Sequence, residues 1–291
     1  MANTQSLRRR IRSVGNTKQI TKAMELVAAA KMRRVQGAVE RVRIYADAAA
    51  AIVSRLAKSP DAKSHPYFSP PSTKAKLYIL ITSDSGLAGA YNTNVLNLAH
   101  KAFAEDHSSG FRPLVVAIGR KGAHHISHLS DVELVADYEK FEDDPDTNVF
   151  APIIETIADG IANADFSSVH LLYTEFRSSL NHQPRDLQLI PVIATEPVET
   201  DSAEPHIVFE FEPDAEAVLE ESLRLYLESA LRRARVEAAA AEHAMRMLSM
   251  NNANRNAGNL IDNLTLELNA TRQAAITQEM AEIIGGADAI A

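Results

Sequence analysis

No cysteine occurs among the 291 residues, which excludes structural disulfides, thiolate metal sites and cysteine nucleophiles and agrees with a reducing compartment. No apolar run approaches the 18 or more residues of a membrane span. Arg8, Arg9 and Arg10 are followed by no apolar block, so the start does not read as a secretory signal. Proline is missing from both ends: all twelve prolines fall between Pro60 and Pro213, and from there to Gly285 the single glycine is Gly258. Both ends are therefore free to form long helices and the middle is not.

The C-terminal end carries an amphipathic stripe, Leu219, Leu223, Tyr226, Ala230, Ala234, Ala238, Ala241, Met245 and Leu248, which resumes at Ile261, Leu264 and Leu268. Pro213 suits a first helical position, Asp214 and Glu216 favour the first turn, and Gly285 with Gly286 is a stop signal. The helix predicted over 213–284 would be roughly 110 Å long. A globule of this chain length is only about 50 Å across, so such a helix needs a partner. Residues 4–58 supply one, with Leu7, Ile11, Val14, Ile20, Met24, Val27, Val35, Val39, Val42, Ala46, Ala49, Ile52, Val53 and Leu56 spaced as a coiled-coil seam. Ala28 to Ala30 and Ala48 to Ala51 would let the second helix come close.

Charge is segregated in the same way. Residues 1–58 hold 13 basic against 3 acidic residues, net +10, residues 59–212 are net −13 and residues 213–291 net −5. A basic first helix beside an acidic last one is a complementary pair, and the acidic total with no aromatics among the basic residues argues against nucleic acid.

After the prolines Pro60, Pro66, Pro70 and Pro71 the period changes. Leu77 to Thr82 reads as a buried parallel strand, with a helix from about Thr93 to Ala104. Further strands are expected at Leu114 to Gly119, Val132 to Tyr138 and Val169 to Phe176, helices near Lys121 to His128 and Asn148 to Asn163, and an edge strand at Leu187 to Val192. This alternation predicts a doubly wound α/β domain. The fold class is then α/β: a long antiparallel coiled coil of the terminal helices plus a Rossmann-like domain. The expected division is 1–58 for the first helix, 59–76 for a linker, 77–195 for the α/β domain, 196–212 for a connector and 213–291 for the last helix.

Nothing in the middle domain frames a catalytic constellation. The loop Ser83 to Asn92 sits where such folds bind phosphate, but no Lys-Ser or Lys-Thr follows Gly89 and its glycines are three apart, so a tight turn needing both Gly86 and Gly89 is expected instead of nucleotide binding. His124, His125 and His128 lack a metal-ligand framework, and Asp143, Asp144 and Asp146 lack the glycine and terminal Glu of a calcium loop. No metal, no cofactor and no direct small-molecule substrate is expected. Asn251, Asn252, Asn254, Asn256 and Asn259 disfavour helix; either the last helix breaks there, or contacts with other proteins hold it.

Both ends carry motifs that identify a family resemblance. Ser13 to Met32 (SVGNTKQITKAMELVAAAKM) resembles the first helix of the γ subunit of F-type ATP synthases. Ala257 to Asp262, then Ala270 to Glu279, is similar to that family's last helix, with its terminal signature met by Ile276, Thr277, Glu279, Glu282, Gly286 and Ala287. Thr82-Ser83-Asp84-x-Gly86-Leu87-x-Gly89 fits the family's first strand and turn. The chain departs from the family at Ser85, where a basic residue is usual, and at Ala88, where cysteine is frequent.

The resemblance implies a central rotor shaft, not an enzyme. In that family the terminal helices form an antiparallel coiled coil inside a hexamer of α and β subunits, and the middle domain sits on the ε subunit and the membrane ring of c subunits. Active sites belong to β. By motif position Met24 would lie near a moving acidic lever of β, Arg246, Arg272, Gln273 and Thr277 would face β, and Gly285 to Ala291 would be the tip in an apolar bearing. The implied location is peripheral on the cytoplasmic face of a bacterial plasma membrane, or the matrix side of a mitochondrial inner membrane. Two other readings stay open from the residues alone: a coiled-coil scaffold with an α/β sensor domain, and a nucleotide-dependent enzyme built on the middle domain.

Overall fold

The computed structural model describes residues 4–57, 59, 62, 65–139, 150–192 and 214–288, without the side chains of 215 and 285–288. Asp143, Asp144, Asp146 and Pro213 lie outside the described residues. The chain divides into two compact units, Met1–Ala29 with Arg246–Ala291, and Ala30–Met245. Helices α1 (Thr4–Leu56) and α5 (Ala215–Asp288) contribute to both.

The larger unit is built on five strands, β1 (Ala75–Ile81), β2 (Arg112–Ile118), β3 (Glu133–Tyr138), β4 (Ser168–Phe176) and β5 (His182–Ile190), in the order β3-β2-β1-β4-β5. The first four are parallel neighbours and β5 pairs antiparallel with β4. The connecting helices are α2 (Tyr91–Ser108), α3 (Arg120–Ile126) and α4 (Ala151–Ala162). The near-continuous apolar runs of β1, β2 and β4 are explained by burial on both faces. On one face Leu77, Ile79, Val116 and Leu171 pack with Ile153, Ile157 and Ile161 of α4 and with Leu227, Leu231 and Ala234 of α5. On the other, Tyr78, Leu80, Val115 and Leu172 meet Val95, Ala99 and Phe103 of α2 and Ile126 of α3. Each such aliphatic side chain contributes about 1.5–3 kcal/mol by leaving water.

The edge strand is longer than expected and begins at His182. Its first residues, His182 to Asp186, carry no apolar signal, because an edge strand can leave much of its surface in water; Pro184 is tolerated there for the same reason. Helix α5 starts at Ala215, where Asp214 caps it by accepting the Ala217 N–H at 2.8 Å. The helix also passes Gly285 and Gly286 to end at Asp288. Those glycines do not stop it, since each costs only about 1 kcal/mol against alanine.

In the larger unit α1 and α5 run antiparallel. Met32, Val35, Val39, Ala46, Ala49, Val53 and Leu56, buried on α1, keep four-three spacing once half-buried Val42 is included, and buried Ala38 flanks the stripe. Polar side chains fix the register: Arg43 donates to Glu237 at 2.7 Å and to the Phe176 carbonyl, while Arg233 bridges Glu237 at 3.1 Å and Asp47 at 2.7 Å. Arg43 thereby joins α1, α5 and the end of β4. Beside it, burial raises the Glu175 carboxyl, but Arg177 and Arg185 outweigh burial and hold it below the usual range.

Candidate functional site

The carboxyl edge of the parallel strands is the first place to seek a site, and three of its main-chain donors are already used. The Thr82 hydroxyl accepts the Gly122 N–H at 2.9 Å and lies 3.2 Å from the Ile118 carbonyl and 3.1 Å from that of Gly119. Asn92 Oδ1 accepts the Ser83 N–H at 3.0 Å, and Asp84 Oδ1 accepts the Arg120 N–H at 2.9 Å. Three main-chain N–H groups at this edge, those of Ser83, Arg120 and Gly122, are thus satisfied by the protein's own side chains. The turn also differs from expectation. Gly89 adopts positive φ, 56°, but the second such position is Leu87 at 64°, and Gly86 is not left-handed.

Among the described residues no group of three or more His, Asp or Glu could hold a metal ion. His124 and His128 share a face with ring centroids 4.6 Å apart, while His125 turns to His100 of α2.

The smaller unit is a pair of antiparallel helical segments. Its buried positions on α1 are Leu7, Thr21 and Ala28, with Val14 half-buried, and on α5 Met250, Ala257 and Leu264, with Thr271 half-buried. Both sets repeat every seven residues, the signature of a coiled-coil seam. Expectation placed Ile20 and Val27 in this seam. They are instead 60% and 57% exposed, because the small side chains one position later, Thr21 and Ala28, occupy the interface. The Asn-rich segment is continuous helix, and α1 itself supports it: Asn254 donates to the Lys18 carbonyl at 2.8 Å and Asn251 to Glu25 at 3.2 Å. Lys22, then Asn251, hold the Glu25 carboxyl below its ordinary pKa.

The residues singled out by motif are spread along this pair. Met24 and Arg246 are half-buried, and Arg246 has a polar partner within the chain. Arg272, Gln273, Ile276, Thr277, Glu279 and Glu282 are exposed, with Thr277 donating back to the Gln273 carbonyl at 3.0 Å. Gly286 and Ala287 lie within α5. These residues present successive surfaces of a helix pair, which suits an extended interface and not a reaction centre.

Sequence comparison decides the family. A family model described as ATP synthase matches residues 3–290. The ATP synthase gamma chain of Desulforamulus reducens is 39% identical over 293 residues, covering 100% of both chains, and that of Moorella thermoacetica is 38% identical with the same coverage. The chain belongs to the ATP synthase gamma chain family. Solved structures agree in fold: a chain of the Euglena gracilis mitochondrial ATP synthase OSCP/F1/c-ring assembly matches with TM-score 0.66 at 16% identity, covering 99% of this chain and 94% of that one. A chain from the Tetrahymena thermophila central stalk and c-ring structure matches with TM-score 0.55 at 25% identity, covering 80% and 99%. Membership in the gamma chain family does not favour the scaffold reading.

Motif matching left out one group of surface residues. Ile20, Leu26 and Val27 on α1, and Leu266, Met280, Ile283 and Ile284 on α5, are large, apolar and exposed. The seven-residue repeat of Leu7, Val14, Thr21 and Ala28 could have found Ile20 and Val27, since it places each one position outside the seam.

Proposed function

We propose that the chain is the central rotor shaft of an F-type ATP synthase, coupling ion-driven rotation of a membrane ring of c subunits to conformational cycling of catalytic sites on β. The observation that carries this reading is the apolar face Ile276, Met280 and Ile283, spaced four and three along α5 and left in water by the chain itself. Three such side chains exposed on one stripe call for a surrounding surface. A ring of α and β subunits closed around the helix pair provides it.

On this reading Met24, Arg246, Arg272, Gln273 and Thr277 meet the β subunits as the shaft turns, and Ile276, Glu279, Glu282, Gly286 and Ala287 belong to the bearing. The α/β domain meets ε and the c-ring. The side chains of Thr82, Asn92 and Asp84 that tie down the carboxyl edge suit a domain used as a rigid coupling body, with the chemistry on β. The complex is peripheral on the cytoplasmic face of a bacterial plasma membrane. Deleting Arg272 to Ala291 in the assembled complex tests the shaft. Coupled synthesis and torque should fall sharply; unchanged values of both would refute a shaft role for that end.

A further inference from the structure

We propose that His100 and His125 form a surface site for a borderline divalent transition metal, Zn²⁺ above all, which staples α2 to α3. The two Nε2 atoms face each other at 2.7 Å, with ring centroids 4.9 Å apart and planes at 86°. Each ring therefore aims its outermost nitrogen at one point. With both rings neutral, a single N–H···N bond occupies that point; a metal can replace its proton and use both lone pairs. Two Zn–N bonds of about 2.0–2.1 Å at a tetrahedral angle span about 3.4 Å, so the rings need part by only about 0.7 Å.

Nearby packing favours ligation. His100 is exposed, free to swing outwards, and stands edge-on to Phe103 at 6.5 Å. His125 is half-buried, and burial followed by His100, His124 and His128 lowers its pKa, which favours the neutral ring that a metal needs. His128 is engaged elsewhere, its Nδ1 lying 2.7 Å from the His124 carbonyl. Water completes the coordination, which leaves the metal exchangeable.

The full chain is titrated with zinc chloride by calorimetry at neutral pH, beside His100→Gln, His125→Gln and, as a control, His128→Gln. The wild type and the control should bind one equivalent alike, and the first two variants should bind about tenfold or more weakly. Excess zinc should also raise the thermal midpoint of the wild type and not that of His100→Gln. Absence of zinc uptake by the wild type, or uptake that survives both His100→Gln and His125→Gln, would overturn the proposal.

Discussion

Arg43 Nε lies 2.7 Å from Glu237 Oε1, and this bond joins two helices 194 positions apart in sequence while Arg43 also reaches the main chain of Phe176 at the end of β4. Glu237 is 1% exposed and shared with Arg233, so one carboxylate sets the register of α1 against α5 and of both against the sheet. In a rotating shaft such a joint would carry torque from the α/β domain to the helices.

Replacing Glu237 by alanine leaves two arginines facing a buried hole. The expected loss is about 2–4 kcal/mol, below the limit for a fully buried pair because Arg43 and Arg233 stay partly solvated. Urea unfolding of the full chain measures it, and a double-mutant cycle with Arg43→Ala should show strong non-additivity.

Lys22 and, after it, the Asn251 amide hold the Glu25 carboxyl in its charged form. Because the folded pKa is depressed, the stability this contributes is present above the unfolded value and is lost as pH falls through the folded one. Asn251→Ala should bring the Glu25 titration, followed by carboxyl NMR, part of the way back towards the ordinary range, since Lys22 stays in place. It should also shrink the loss of stability under mild acid.

Gly119 combines φ of 103° with a Cβ direction that meets the Thr82 carbonyl oxygen at 2.3 Å. Gly119→Ala is therefore strained in backbone and blocked in space, with an expected cost of about 2–4 kcal/mol. Gly15→Ala, where nothing lies within 4 Å and the backbone is helical, should be neutral or slightly stabilising by thermal denaturation.

Burial, and then the nearby Glu237, push the Tyr173 phenol up to about 12. Its folded pKa exceeds the unfolded value of about 10, so its contribution to stability is intact below pH 10 and is lost as pH rises towards 12. Phenolate absorbance should show Tyr173 titrating late, together with Tyr67, Tyr78 and Tyr226, whose phenols burial also raises; the late signal should lose one tyrosine in Tyr173→Phe. Tyr173→Phe should flatten the alkaline fall in stability.

Much of this was legible in the sequence because it rests on period and punctuation. Proline-free ends, the run Leu77 to Ile81 and the strand–helix alternation mark the two long helices and the parallel sheet. Apolar pattern alone misplaced part of the seam in the smaller unit: Ile20 and Val27 look like core residues, yet Thr21 and Ala28 fill it, since close helix approach selects for small side chains and not for hydrophobicity. The role of Asn251 and Asn254 was hidden for a related reason. Propensity measures what asparagine does to an isolated helix, and here a second helix offers a carbonyl and a carboxylate. Likewise Leu87 takes a left-handed conformation that a glycine rule assigns elsewhere.

Rotation itself is the most direct test. Since the chain has no cysteine, Ser108→Cys on the exposed end of α2 provides a unique handle for a bead, with the α/β ring fixed to a surface and ATP supplied. The bead should turn continuously in one direction for as long as ATP is hydrolysed. A bead that stays still while the same complexes hydrolyse ATP would contradict the rotor assignment.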